Sequence, residues 1–141
     1  MIDYLEKGET INGEYYSNEL RQLREILKSK RRGKLQKGVL LLQDNAPVHT
    51  ANIATKAAHD CGFEVLPHPP YSPDLAPSDF YLFPKLKESI TGRRYSSNDE
   101  IKAVVEGYFN DVPEFFFLEG LQMLQKRWKK CILIEGDYVE K

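Results

Sequence analysis

Apolar side chains recur with a helical period over most of this chain. The pattern is clearest in residues 13–32, where apolar positions are spaced by four, three and four residues, at Tyr16, Leu20, Leu23 and Leu27. Charged residues occupy the opposite face, which predicts an amphipathic helix. The same periodicity, with start and stop signals, predicts four further helices, near residues 50–61, 78–91, 98–110 and 114–131.

The later helices carry more specific signals. Ser97 and Glu100 form a capping box at the start of one helix, and Pro84 predicts a kink or a late start in another. For residues 78–91 the predicted inward face is Phe80, Phe83, Leu86 and Ile90. For residues 114–131 it is Phe117, Leu121, Leu124 and Trp128.

Two short apolar runs predict strands, at residues 39–43 and 63–67. A helix of suitable length lies between them, so we expect a parallel pair with a right-handed crossover. A third strand could come from residues 2–5. The fold class predicted is therefore α/β, with a sheet of at most three strands packed by about five helices. A strand with one neighbour leaves an edge that recruits another strand.

Composition narrows the class of protein. The chain has 141 residues, which favours one domain, and 20 Lys and Arg against 21 Asp and Glu give a net charge of −1. Any contact with nucleic acid must therefore come from local basic patches. Two cysteines do not form a disulfide framework. No apolar run of membrane-spanning length and no signal peptide are visible.

Asp44 and Asp79 are the candidate chemical residues. Asp44 follows the first predicted strand, Asp79 lies at the start of a predicted helix, and 34 residues separate them. Five prolines at residues 67–77 predict a stiff loop that would hold Asp79 in place. Two carboxylates that converge would suit Mg²⁺ or Mn²⁺.

Each candidate also has a structural interpretation. Asp79 could simply cap a helix, and Asp74 is more typical of a turn residue than of a metal ligand. His49 could be satisfied by the backbone of its helix, or it could support a metal ligand or contact a DNA backbone. The basic residues 28–37 could be a solvated loop, a phosphate-binding segment or a nuclear-import signal.

Two motifs resemble the catalytic core of mariner-type DNA transposases. They are Asp-Asn-Ala-Pro-Val-His-Thr at residues 44–50 and Tyr-Ser-Pro-Asp-Leu-Ala-Pro-Ser-Asp at residues 71–79. Residues 8–12 and 127–131 resemble that family as well. The resemblance implies an RNase-H-like fold with three metal-binding aspartates, of which the last two are separated by thirty-four residues. Asp44 and Asp79 match those two, which implies that both are catalytic metal ligands.

The same resemblance implies the cofactor, partners and location. It implies Mg²⁺ or Mn²⁺ as cofactor, DNA transposon ends as partner, no membrane and a nuclear location, and it leaves a homodimer open. The candidate DNA contacts are Lys30, Arg31, Arg32, Lys34, Asn45, His49, Arg93 and Arg94.

The first aspartate of the family has no counterpart in this chain, since Asp3 does not fall at its position. We therefore expect residues 1–141 to be a partial catalytic domain, truncated at the N-terminus and lacking the first catalytic strand. In this interpretation the parent protein cleaves DNA and transfers strands by metal-dependent phosphoryl transfer. The alternative is a catalytically inactive, transposon-derived module that binds nucleic acid or protein.

Overall fold

A computed structural model describes residues 1–140. The chain divides into two compact units, Met1–Pro70 and Tyr71–Lys141. Within the described residues, no helix is both long enough and apolar enough to cross a lipid bilayer.

The first unit is built on a two-stranded parallel sheet, β1 (Val39–Leu41) and β2 (Phe63–Val65). The register places Leu40 opposite Glu64. The predicted parallel pair is confirmed, although each strand is two residues shorter than predicted. The helices of this unit are α1 (Gly13–Lys30), α2 (Arg32–Lys37), α3 (Pro47–Thr50) and α4 (Asn52–Asp60).

Helices α1 and α4 pack against each other to form the core of this unit. Asn12 is the N-cap of α1, and its side chain accepts a hydrogen bond from the Tyr15 N–H at 2.8 Å. The buried core combines a leucine of α1 with small residues of and after α4 and an aromatic residue of β2: Leu20, Ala57, Ala58, Cys61 and Phe63. Ile53, another apolar residue of α4, is exposed.

Three local features of the first unit differ in detail from the sequence analysis. The helix predicted at residues 50–61 is present as α4 but begins at Asn52, because the extended ψ of 146° at Ala51 separates α4 from α3. The basic residues 28–37, for which a solvated loop was one interpretation, contain the short helix α2. Residues 2–5 form no strand. They have no neighbour in the described sheet, which consists of β1 and β2.

The second unit is helical. A 3₁₀ turn (Pro73–Leu75) leads into a π-helical turn (Ser78–Leu82), which α5 (Phe83–Ile90), α6 (Asn98–Asp111) and α7 (Glu114–Leu133) follow. The predicted late start at Pro84 is confirmed, because regular α-helix begins at Phe83. Proline has no N–H to donate and its ring clashes with the preceding turn, which the wider π-turn accommodates.

The capping box at α6 is confirmed with one difference. Ser97 Oγ accepts a hydrogen bond from the Glu100 N–H at 3.2 Å. The Glu100 carboxylate bonds to the N–H and the hydroxyl of Ser96, each at 2.6 Å, rather than to the backbone of Ser97. The reciprocal bond therefore reaches one residue further back than in the usual capping box.

The predicted inward faces of α5 and α7 are partly wrong. Phe117, Leu121 and Trp128 are exposed, whereas Gly120 and Leu124 are buried. Gly120 explains why α7 turns this other face toward the core. A Cβ at position 120 would lie 2.6 Å from the ring of Tyr81, so only glycine allows the close approach. The ring of Tyr81 thus occupies the space that a side chain on α7 would need. Tyr81, just before α5, and Leu86, within it, are buried, while Phe83 is exposed.

We predict that Gly120→Ala destabilises the second unit. Overpacking against the buried Tyr81 ring costs about 1–3 kcal/mol, which exceeds the gain of at most about 1 kcal/mol in helix propensity. Gly107 of α6 is the matched control, because open space surrounds its Cβ position. Gly107→Ala should stabilise by about 0.5–1 kcal/mol. Urea unfolding followed by Trp128 fluorescence measures both, and equal effects would contradict the packing of Tyr81 against Gly120.

We also predict self-association through β1. Within residues 1–140 its one neighbour is β2, and Leu40 is 61% exposed. An unpaired apolar edge recruits strands, and a charge on it prevents pairing. Leu40→Lys should therefore reduce the apparent mass in light scattering. Leu133→Lys, at another exposed apolar position, should leave that mass unchanged. A wild-type chain that remains monomeric at high concentration would refute this prediction.

Candidate functional site

Asp44 lies in the segment between β1 and α3, which holds its carboxylate in place. Oδ1 accepts hydrogen bonds from the Ala46 N–H at 3.0 Å and from Nδ1 of His49 at 2.7 Å. Because both bonds are made to Oδ1, the other oxygen, Oδ2, is the one available to a cation. The side chain is 51% exposed, so a ligand can reach it.

The environment of Asp44 favours its charged form. The Ala46 N–H is the main reason that its pKa lies below the usual value, and His49 lowers the pKa further by its hydrogen bond and its charge. Partial burial of the carboxyl group opposes these effects. Asp44 is therefore a carboxylate at neutral pH, which is the form that binds a cation.

A second layer of contacts holds His49. Its ring packs against the Tyr16 ring with the centroids 4.3 Å apart. The Tyr16 hydroxyl hydrogen-bonds to Oε1 of Gln43, and Nε2 of Gln43 donates to the His49 C=O at 3.4 Å. Burial, and then the charge of Asp44, raise the pKa of Tyr16, so its hydroxyl remains a donor. Helix α1 thus supports the loop that carries Asp44.

The segment after β2 closes the other side of the site. Nδ2 of Asn45 donates to the backbone C=O of His68 at 2.7 Å. A cavity of about 280 Å³ lies between the two segments, and its lining includes Asp44, His49, Thr55 and His68. The structure therefore brings together three predicted site residues: Asp44, Asn45 and His49.

Asp79 lies in the second unit, in the first turn of the π-helical segment. Its N–H donates to the Ala76 C=O at 2.8 Å, and its carboxylate is exposed. It lines a cavity of about 730 Å³ together with Asp74, Phe80 and Tyr138.

Asp74 has a structural role. It is 6% exposed, and its Oδ2 accepts a hydrogen bond from the Val139 N–H at 2.9 Å. Asp74 lies in the 3₁₀ turn, in agreement with its interpretation as a turn residue, while its carboxylate bonds to the distant Val139.

The predicted DNA-contacting cations are all exposed. Lys30 ends α1, Arg31 follows it, and Arg32 and Lys34 belong to α2. These four residues form one basic segment of the first unit. Arg93 and Arg94 lie between α5 and α6 in the second unit.

The residues present fit a divalent cation as part of its ligand set. Asp44 and Asp79 are accessible carboxylates, the hard oxygen ligands that Mg²⁺ and Mn²⁺ prefer. In the part of the chain that the structure describes, no three His, Cys, Asp or Glu side chains group closely enough to form a complete metal site.

The sequence matches one protein family over most of its length. Residues 7–102 match the family model of the DDE superfamily endonucleases. The chain belongs to this superfamily. It is 37% identical over 140 residues to the Mariner Mos1 transposase of Drosophila mauritiana, covering 98% of this chain and 41% of that protein. The resemblance to mariner-type transposases is thereby confirmed.

Solved structures agree. The Mos1 transposase catalytic domain with Raltegravir and Mn has a TM-score of 0.89 at 36% identity, covering 96% of this chain and 69% of that one. The Mos1 paired-end complex with the left transposon end has a TM-score of 0.87 at 36% identity, covering 95% and 39%. The predicted RNase-H-like fold class is confirmed. The chain spans less than half the length of the Mos1 transposase.

Two supporting residues were missed at the sequence level. Tyr16 was assigned only to the packed face of a helix, although its hydroxyl and ring face the Asp44 loop. Gln43 was assigned to the first strand. Its position directly before Asp44 was the only signal in the sequence, and helical periodicity cannot show that a core-facing tyrosine also makes a polar contact.

We predict that the pKa of Asp44 depends on His49. In His49→Ala it should rise toward the usual aspartate value but stay below it, because the Ala46 N–H still donates. Since the pKa is lowered on folding, these hydrogen bonds stabilise the fold above the unfolded-state pKa. That stabilisation is lost as pH falls through the folded-state pKa.

Carboxyl ¹³C NMR titration measures this shift. His59→Ala is the matched control, because His59 lies on α4 with an exposed ring and does not contact Asp44. An Asp44 midpoint that is the same in wild type and His49→Ala would show that this hydrogen bond does not form in solution.

Proposed function

We propose that this chain is part of the catalytic domain of a DNA transposase and that Asp44 and Asp79 are two of its metal-binding carboxylates. The parent protein would cleave DNA and join strands by metal-dependent phosphoryl transfer. The observation that carries the proposal is the held, ionised carboxylate of Asp44, with one oxygen bonded and the other available. Family membership and the matching motif at Asp79 support it.

The cofactor proposed is Mg²⁺ or Mn²⁺, which would stabilise the charge that develops on attacking and leaving oxygens during phosphoryl transfer. The structures of the Mos1 catalytic domain with Mn and with Mg support this choice. Asp44 would supply Oδ2 while Ala46 and His49 hold Oδ1. Asp79 would supply an exposed carboxylate from the start of its helical turn.

The substrate proposed is DNA. The Mos1 transposase has been solved as a complex with a transposon end. In this chain, the exposed basic segment of Lys30, Arg31, Arg32 and Lys34 would contact phosphates, since the net charge of −1 provides no general attraction. Asn45, His49, Arg93 and Arg94 are further candidate contacts. A DNA-acting protein of this class would work in the nucleus, and a homodimer is the assembly to test.

We predict that Mn²⁺ binding by this chain depends on both Asp44 and Asp79, because Mn²⁺ prefers hard oxygen ligands. Manganese EPR should show weaker binding in Asp44→Ala and in Asp79→Ala, and the weakest binding in the double variant. Asp111→Ala, which removes an exposed carboxylate at the end of α6, is the control.

The same preparations test catalysis. We expect negligible DNA cleavage with Mg²⁺ by this chain alone, because a site with two carboxylates lacks part of the charge neutralisation that the transition state needs. Efficient cleavage that requires Asp44 would show that another residue completes the site. Unchanged Mn²⁺ binding in both aspartate variants would refute the metal site and favour an inactive module that binds nucleic acid or protein.

A further inference from the structure

Arg127 of α7 is the centre of a group of contacts around the loop that leads to Asp79. Its Nη1 donates to the backbone C=O of Asp74 at 3.0 Å and to Oε1 of Glu140 at 2.7 Å. Its guanidinium carbon lies 4.1 Å from the centroid of the Phe80 ring. One side chain thus contacts the loop five residues before Asp79 and again directly after it.

Residues 138–140 complete this group of contacts. Val139 is 5% exposed, and its N–H donates to Oδ2 of Asp74 at 2.9 Å. Its C=O accepts a hydrogen bond from Nζ of Lys130 at 2.6 Å. The 138–140 segment is therefore bonded to α7 on one side and to the Asp74 turn on the other.

The buried carboxylate of Asp74 is a polar group in a position where core packing alone would favour an apolar side chain. Its Oδ1 is buried and has no hydrogen-bond partner within residues 1–140. An apolar side chain would avoid this unsatisfied oxygen. What the carboxylate contributes here is its bond to Val139 through Oδ2.

The loop also makes short-range backbone bonds. Leu75 donates to Ser72 at 3.2 Å, Ala76 to Pro73 at 3.0 Å and Phe80 to Ala76 at 3.1 Å. Such bonds define local turns, whereas the contacts of Arg127 and of the 138–140 segment join the loop to α7.

We infer that Arg127 and Asp74 are positioning residues for Asp79. Together with the 138–140 segment they hold residues 74–80 against α7, and so set the direction in which Asp79 presents its carboxylate to a divalent cation. This inference rests on the proposed role of Asp79 as a metal ligand. Partners that orient a metal ligand affect metal affinity without touching the metal.

The first test measures hydrogen exchange of the amides in residues 72–80. In Arg127→Gln and Asp74→Ala, exchange should become about tenfold faster or more, because the loop opens locally. Asp74→Asn should stay near wild type, since the amide oxygen can still accept from Val139. Lys126→Gln is the matched control, as it removes an exposed cation from the same helix.

The second test measures Mn²⁺ affinity in the same variants. Arg127→Gln and Asp74→Ala should weaken binding about tenfold, as removal of an orienting partner does, while Asp74→Asn restores it. Urea unfolding followed by Trp128 fluorescence checks that each variant is folded. If Arg127→Gln does not fold, Glu140→Gln replaces it in both tests, because it changes only the exposed partner of Arg127. Exchange should then be faster and Mn²⁺ binding weaker than in wild type, each by less than in Asp74→Ala.

Two outcomes would overturn the inference. One is unchanged exchange in Arg127→Gln and Asp74→Ala. The other is faster exchange with wild-type Mn²⁺ affinity, which would make these residues structural only. If Asp79→Ala itself leaves Mn²⁺ binding unchanged, the proposed role of Asp79 fails and the positioning role fails with it. The exchange rates would still decide whether α7 holds the loop.

Discussion

The parallel pairing of β1 with β2 determines the geometry of the first unit. Because both strands run the same way, the segments that follow them emerge at the same edge of the sheet. Asp44 and Asn45 follow one strand and His68 follows the other, which is why Asn45 can bond to the His68 backbone. The crossover helix α4 buries its alanines, so that a sheet of only two strands has a packed face.

The sequence predicted this framework because each part of it depends on local chemistry. A continuous apolar run, a helix of small residues and a second apolar run are sufficient to specify a parallel pair. The two aspartates were likewise identified from their motifs. What holds Asp44 was not predicted, because Tyr16 lies 28 positions earlier in the chain. Its contact with His49 exists only once α1 has packed.

The second unit shows a different limit of sequence interpretation. The helices were predicted nearly to their ends, but of the predicted inward face of α7 only Leu124 is buried. Hydrophobic periodicity selected Phe117, Leu121 and Trp128, the larger apolar residues, whereas the helix packs through Gly120 and through the charged Arg127. Gly120 leaves space for the ring of Tyr81, and Arg127 donates a hydrogen bond to the backbone of Asp74. Hydrophobic periodicity gives no weight to a missing side chain or to a partly exposed cation.

The π-turn at Ser78–Leu82 has a consequence for the phase of the helix that follows it. Such a turn is equivalent to one residue inserted into an α-helix, and each residue of an α-helix turns the chain by about 100°. Tyr81 and Leu86 are five positions apart, yet both are buried. Removing one residue from this turn would give a regular helix, but it would rotate Asp79 by about a quarter of a revolution relative to Leu86. The π-turn therefore sets the angular position of the Asp79 carboxylate around the helix axis. The number of residues in this turn is as constrained as the identity of Asp79.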